Sequence, residues 1–261
     1  MSPLTLTSAL LLILSATAPT LAASCTRADL LATAASFVAA VSSGNVSAAF
    51  PGATYRENNK ASSLKSAAVF SAPLKIDLSR STADTVACAS YTLIISSAGS
   101  KPYVLATQLR HPDGDAATTT LVDTIAATTG SLFFNAPKTL GYIRNESWAD
   151  IADASARPGR DLLKKVGDAY LDMWTDKNAA DSIPWGTDCE RVEGSQYTRP
   201  CGASLPRGGS AKNNGDRRYV IDEVVGSVDV LCSFDSLGSL PDSHEIRVEG
   251  GKVKYVHTVT V

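Results

Sequence analysis

After its first two dozen residues the chain has no long apolar run. No later stretch approaches the ~18 consecutive apolar residues that a transmembrane helix needs. Basic clusters are missing as well: 24 Lys and Arg stand against 26 Asp and Glu, a formal charge of −2. That balance argues against a nucleic-acid partner and against an anionic membrane surface. Histidine is scarce, at three residues, and the five cysteines show no CxxC spacing. No zinc or other metal site is therefore expected from the sequence. There is no GxSxG elbow, no HExxH and no glycine-rich phosphate loop, which argues against common hydrolases, zinc proteases and nucleotide enzymes. Nothing in the sequence calls for a cofactor.

What is present begins with SALLLILSATAPTLAAS, a short apolar run closing on small residues. It is too short to span a bilayer and suits signal peptidase, so residues 1–23 are expected to be a secretory signal cleaved near Ala22 or Ala23. The mature chain is then extracellular. Five cysteines suit that oxidising route. Cys189 and Cys201 bracket a short loop and make the simplest pair; Cys25 with Cys88 would tie the mature N-terminus to the first sheet. Cys232, inside an apolar strand, reads as a buried thiol. The sequons at Asn45 and Asn145 are compatible with glycosylation.

Residues 26–43 read as a helix: Thr26 is an N-cap, Leu30, Leu31, Ala34, Phe37, Val38 and Val41 recur at helical spacing, and Gly44 is the stop. Residues 161–176 repeat that design, with Leu162, Leu163, Val166, Tyr170, Met173 and Trp174 on one face. The Leu30 and Leu162 pairs lie 132 residues apart; Glu57 and Glu193 lie 136 apart, as do the turns at Gly114 and Gly250. Three landmarks in one order at nearly one offset point to a duplicated unit. Residues 24–128 form the first repeat, 129–160 a packed linker rich in aromatics, and 161–261 the second repeat. Strands are expected over 74–78, 86–96, 102–110 and 118–128 in the first copy.

The C-terminal stretch 217–261 reads as a meander of three extended runs, with Gly250-Gly251 as a hairpin turn. Its last strand places Tyr255, His257 and Val259 on one face and Val256, Thr258 and Thr260 on the other. Neither face is strongly polar, so both are expected to be covered.

One helix, a polar loop and a curved antiparallel sheet, used twice, resembles the cone-shaped α+β fold of the nuclear-transport-factor-2-like superfamily, with its SnoaL-like cyclases, ketosteroid isomerases and scytalone dehydratases. The closest likeness is in DAYLDMW, ERVEGSQYT, RRYVIDEVVGSVDV and PDSHEIRVEGGKVKYVHTVTV. The whole mature chain also resembles a family of uncharacterised secreted fungal proteins. The resemblance implies two tandem cone units with sheets packed face to face, a pseudo-dimer within one monomeric chain. It also implies a small-molecule pocket between each helix and its sheet.

Related enzymes use Asp or His as a general base with a Tyr, Asp or His stabilising an oxyanion. On that implication the catalytic candidates are His257, Asp222 and His244. Ligand-binding candidates are Tyr197, Tyr219, Glu193, Arg218 and Trp185 in the second copy, and Glu57 and Asn58 in the first. Each also has a plainer reading: His257 as a core histidine, His244 as part of a turn after Pro241, Arg218 as a salt-bridged strand edge. Trp174 and Trp185, with Tyr170 and Tyr197, could form an aromatic wall that stacks on a ring or sugar, but at helical spacing Tyr170 and Trp174 read as core and Trp185 as nearer the mouth. The expected function is small-molecule binding, with cofactor-independent isomerase, dehydratase or cyclase chemistry; the alternative is a non-catalytic binding or interaction protein. If His257, Asp222 and a tyrosine converge on one open cavity, the enzyme reading gains.

Overall fold

The computed structural model describes residues 25–261; the signal-peptide reading, on residues 1–23, lies outside them. Helix α1 (Arg27–Ser43) starts where the Thr26 hydroxyl accepts the Asp29 amide and stops at Gly44, whose φ of +72° is the left-handed conformation favoured by glycine. A side chain there would also meet the Pro73 backbone nitrogen at 2.8 Å. A short helix α2 (Val46–Ala49) follows, then β1 (Thr54–Glu57), β2 (Lys60–Ser62), β3 (Leu78–Asp84), β4 (Ala89–Ser96), β5 (Tyr103–Arg110) and β6 (Leu121–Thr128). The linker carries α3 (Ala136–Ile143). The second half runs α4 (Arg160–Asp172), β7 (Trp185–Glu193), β8 (Gln196–Thr198), β9 (Gly215–Asp222), β10 (Ser227–Phe234), β11 (Leu240–Glu249) and β12 (Lys252–Thr260).

The chain is thus α+β, with two six-stranded sheets ordered β2-β1-β6-β5-β4-β3 and β8-β7-β12-β11-β10-β9. The two orders are the same. Each sheet is mixed and not wholly antiparallel, because β1 runs parallel to β6 and β7 parallel to β12. The registers correspond too: Glu57 faces Thr124 and Thr124 faces Thr107, while Glu193 faces Thr258 and Thr258 faces His244.

The expected three-run meander is four strands. Asp222 Oδ1 accepts the amides of Val224 and Val225, closing a turn through residues that composition alone reads as extended. Asp84 does the same with Val86 and Ala87, so β4 starts at Ala89 and β3 covers 78–84 instead of 74–78. Both disulfides form as read, Cys25–Cys88 and Cys189–Cys201, leaving Cys232 a buried thiol. No helix among the described residues is long and apolar enough to cross a membrane.

Three apolar layers result. α1 packs on one face of the first sheet through Phe37 and Val41, and α4 on one face of the second through Leu163, Val166 and Tyr170. Between the sheets, Tyr91, Leu93, Ile95 and Ile125 meet Val192, Val220, Leu231 and Val259, and α3 adds Leu140 and Ile143. Both faces of β12 are buried for this reason: one looks to α4, the other to the opposite sheet.

Candidate functional site

Strand parity decides which side chains meet. On β10, β11 and β12 the side chains facing α4 include Val228, Val230, Cys232, Ile246 and Val256, all in its apolar cluster. The same parity places Asp242, His244, Thr258 and Thr260 on that face. There they line or underlie a cavity of about 100 Å³ whose wall is Tyr170, Trp174, Phe234 and Glu193, with Leu132 and Phe133 of the linker at its rim. Phe133 and Leu237 remain exposed beside the opening. Gly194 lets the linker close in: its φ is +57°, and a Cβ there would lie 2.8 Å from the Leu132 carbonyl oxygen.

The polar end is built from two pairs. The Tyr170 hydroxyl donates to Glu193 Oε1 at 2.8 Å, and burial together with that carboxylate pushes the phenol well above its ordinary pKa, so it stays a donor. His244 Nε2 lies 2.8 Å from Asp242 Oδ2, while Asp242 Oδ1 accepts the Thr260 hydroxyl at 2.9 Å. The imidazole is stacked among Tyr170 and Phe234, with centroids 5.2 and 5.9 Å away. Both members of the His–Asp pair are buried. Of these groups the imidazole is the one whose chemistry suits taking a proton from a bound ligand or giving one to it.

Of the sequence candidates, His244 and Glu193 reach this cavity. The others do not, and His257 and Asp222 are the main corrections. His257 lies on the opposite face of β12, between the sheets. Its Nε2 contacts Glu146 Oε1 at 2.9 Å, and its Nδ1 lies 3.0 Å from Arg80 and 3.4 Å from Glu245 Oε2. Trp148 is sandwiched against it, with the Arg80 guanidinium 3.7 Å above the indole. Asp222 is also in the joint, bound by Arg27 and the Ala83 amide. Arg218 joins Asp123 at 2.7 Å and Asn59 at 2.7 Å across the same joint. Tyr219 donates to Asp168 on α4, away from the opening. Tyr197 is exposed and stacks on Tyr142 at 4.8 Å. Trp185 donates to the Ala180 carbonyl and packs edge-on against Tyr170 from behind. Glu57 accepts from Tyr55, and Asn58 holds the Ala126 amide, both structural bonds of the first half.

In that half the matching space is full: Phe37, Phe50, Phe70 and Tyr55 interlock with centroid spacings of 5.6–6.0 Å. Sequence reasoning weighed Tyr170 and Trp174 as an aromatic wall but ranked them as core, and it missed Phe234 on the wall and Asp242 beneath it. The available signal was parity with His244 along β11 and helical spacing from Tyr170 to Trp174.

The joint still has a measurable signature. Burial works against charge on His257, but Glu146 and Glu245 outweigh it, and the pKa rises from the ordinary 6.5. A raised folded value means stabilisation in full force below 6.5 and lost as pH climbs through the folded value. The gap in urea midpoint between the wild type and His257→Gln is therefore expected to be widest below pH 6.5 and to narrow as the pH is raised above it. A gap that stays constant as the pH is raised would show that the imidazole is not held charged.

Residues 156–260 match the family model described as "Domain of unknown function (DUF8021)". No curated protein matches the chain, and no solved structure does. The match covers less than half of the chain but takes in α4 and the whole second sheet, so every cavity residue except Leu132 and Phe133 lies in the part that is similar to that family.

Proposed function

We propose that this is a secreted small-molecule-binding protein of the tandem cone type, with its working pocket in the second unit. One observation carries the reading: an aromatic-walled cavity with a buried His244–Asp242 pair at its polar end, where the first unit is filled by phenylalanines. Strand order supports the nuclear-transport-factor-2-like resemblance, since each sheet ends on a strand parallel to its first and a helix lies across one face. Two disulfides fit the extracellular compartment.

The cavity sets the ligand's size. An engineered apolar cavity of about 150 Å³ holds benzene, so this smaller space of about 100 Å³ suits a short branched chain or part of one ring, with the rest of the ligand reaching past Phe133 and Leu237. A hydroxyl or carbonyl on the ligand would meet His244, Thr258 or the Tyr170–Glu193 pair. His257, Asp222 and a tyrosine do not converge on it, which favours binding over the multi-residue catalysis that the resemblance implies. Any isomerase- or dehydratase-type proton transfer would have to run through His244.

Titration with small phenols and hydroxyketones, followed by tryptophan fluorescence and calorimetry, tests this. His244→Gln is expected to weaken hydroxyl-bearing ligands about tenfold, the worth of roughly one hydrogen bond, while leaving an unsubstituted aromatic unaffected. Saturable binding to neither class would remove the pocket reading.

A further inference from the structure

The floor of the cavity holds more donor groups than a hydrogen-bonded core needs. Cys232 on β10 is the register partner of Asp242 on β11, and His244 lies two residues further along the same face. Donor atoms of all three lie within 4.8 Å of one another, and all three residues are buried. Three of the polar atoms, Asp242 Oδ2 and both His244 ring nitrogens, are also unsatisfied. Although His244 Nε2 and Asp242 Oδ2 are 2.8 Å apart, their approach is off the line of a hydrogen bond, and neither these atoms nor His244 Nδ1 has a hydrogen-bond partner. Asp242 Oδ1 is held by the Ser243 amide and the Thr260 hydroxyl, so the cost falls on the remaining carboxylate oxygen and the imidazole, which are buried without partners.

The first half shows what this fold accepts at the same places. Ile94 is the register partner of Leu105, and Thr107 follows two residues on, so Ile94, Leu105 and Thr107 stand where Cys232, Asp242 and His244 do. All three are buried without forming a donor cluster. The second half has a thiol, a carboxylate and an imidazole where packing alone is satisfied by isoleucine, leucine and threonine.

We propose that Cys232, Asp242 and His244 bind one divalent transition-metal ion of the zinc class. Sulfur, imidazole and carboxylate are the donors such ions select, at bond lengths of about 2.0–2.3 Å, and three protein ligands with one open position is the arrangement of exchangeable sites. Charge agrees: a thiolate and a carboxylate cancel a dication, so the loaded site is neutral in a low-dielectric interior. Calcium and magnesium, which take oxygen ligands, do not suit a site with sulfur and nitrogen. His244 itself lines the cavity, so the open position faces the ligand space. In that respect the inference rests on the pocket reading. It also makes a distinction within it, because a metal-bound His244 cannot serve as a proton carrier.

The test uses the full mature chain with both disulfides intact, stripped with a chelator and titrated with Co²⁺. Cys232 is the one free thiol among the described residues, so a thiolate-to-cobalt charge-transfer band reports on it alone. One Co²⁺ per chain, that band, its displacement by Zn²⁺, and release of about one proton per ion are expected. Cys232→Ser should abolish the band, and Asp242→Asn and His244→Gln should each weaken binding by more than about tenfold. Should those variants misfold, zinc-edge absorption on the wild-type chain decides instead: one sulfur with nitrogen and oxygen neighbours supports the site. Oxygen-only ligation, a band that survives Cys232→Ser, or silence on Co²⁺ addition overturns it. Titrating the stripped protein with phenols separates the two claims: binding there with no metal uptake keeps the pocket and removes the metal.

Discussion

Replacing Asp222 with alanine is expected to lower the unfolding free energy by about 3–5 kcal/mol, the range for breaking a buried, hydrogen-bonded charge pair from one side. The carboxylate is 1 % exposed and has no slack: Oδ2 accepts Arg27 Nε at 3.2 Å and the Ala83 amide at 2.9 Å, and Oδ1 accepts Val224 and Val225. Removing it leaves an amide of the opposite sheet and a turn without their acceptor, and leaves Arg27 at the start of α1 with Asp150 alone. The arrangement is reciprocal. Asp84 of the first half takes Arg160 at the start of α4, the Ile221 amide at 2.9 Å and its own turn amides. Asp84→Ala should therefore cost a similar amount. The double variant should lose less than the sum, because each aspartate fixes the strand end that the other binds. Asp150, which shares Arg27 but is largely exposed, is the control: its removal should change little. Equal losses for Asp150→Ala and Asp222→Ala in urea unfolding would contradict this account of the joint.

Loss of the Cys25–Cys88 bridge is the second large effect, about 4 kcal/mol. It closes a span of 63 residues, and loop-closure entropy grows with the logarithm of that span. The Cys189–Cys201 bridge spans 12, for which the same relation gives about 3 kcal/mol. Paired Cys→Ala variants compared by denaturant midpoint should show that order. A larger loss from the shorter loop would mean that local packing, and not the unfolded chain, dominates.

Much of the architecture was legible because it is local. Thr26 and Gly44 frame α1 through cap chemistry that any reader of the sequence can apply. Period-two alternation placed His257 and Thr258 on opposite faces of β12 correctly. What alternation cannot supply is which face meets which neighbour when both are apolar. Alternation therefore leaves His257 open to two readings, a pocket base and a core histidine bonded across the joint, and the second is where it lies. Val224 and Val225 read as strand because their turn is made by the Asp222 side chain, a choice that composition hides. Pro241-Asp242-Ser243 read as a turn, yet it lies inside β11 near its start, where proline is tolerated. Tyr170 and Trp174 read as core because a cavity wall has the same helical spacing as a filled one. The spacing rules for zinc look along the chain, whereas Cys232, Asp242 and His244 meet across a strand pair.

The covalent union of the two sheets has a last consequence, one of dilution. Two separate subunits packed sheet to sheet would drift apart as their concentration fell, leaving apolar surface uncovered. Here the facing sheet is tethered, so its local concentration is fixed by the linker whatever the volume of fluid outside. Asn59, at the tip of the first half's hairpin, donates to the carbonyl of Cys232 at 2.7 Å. That brace from one half to the cavity floor of the other should hold in a single isolated molecule.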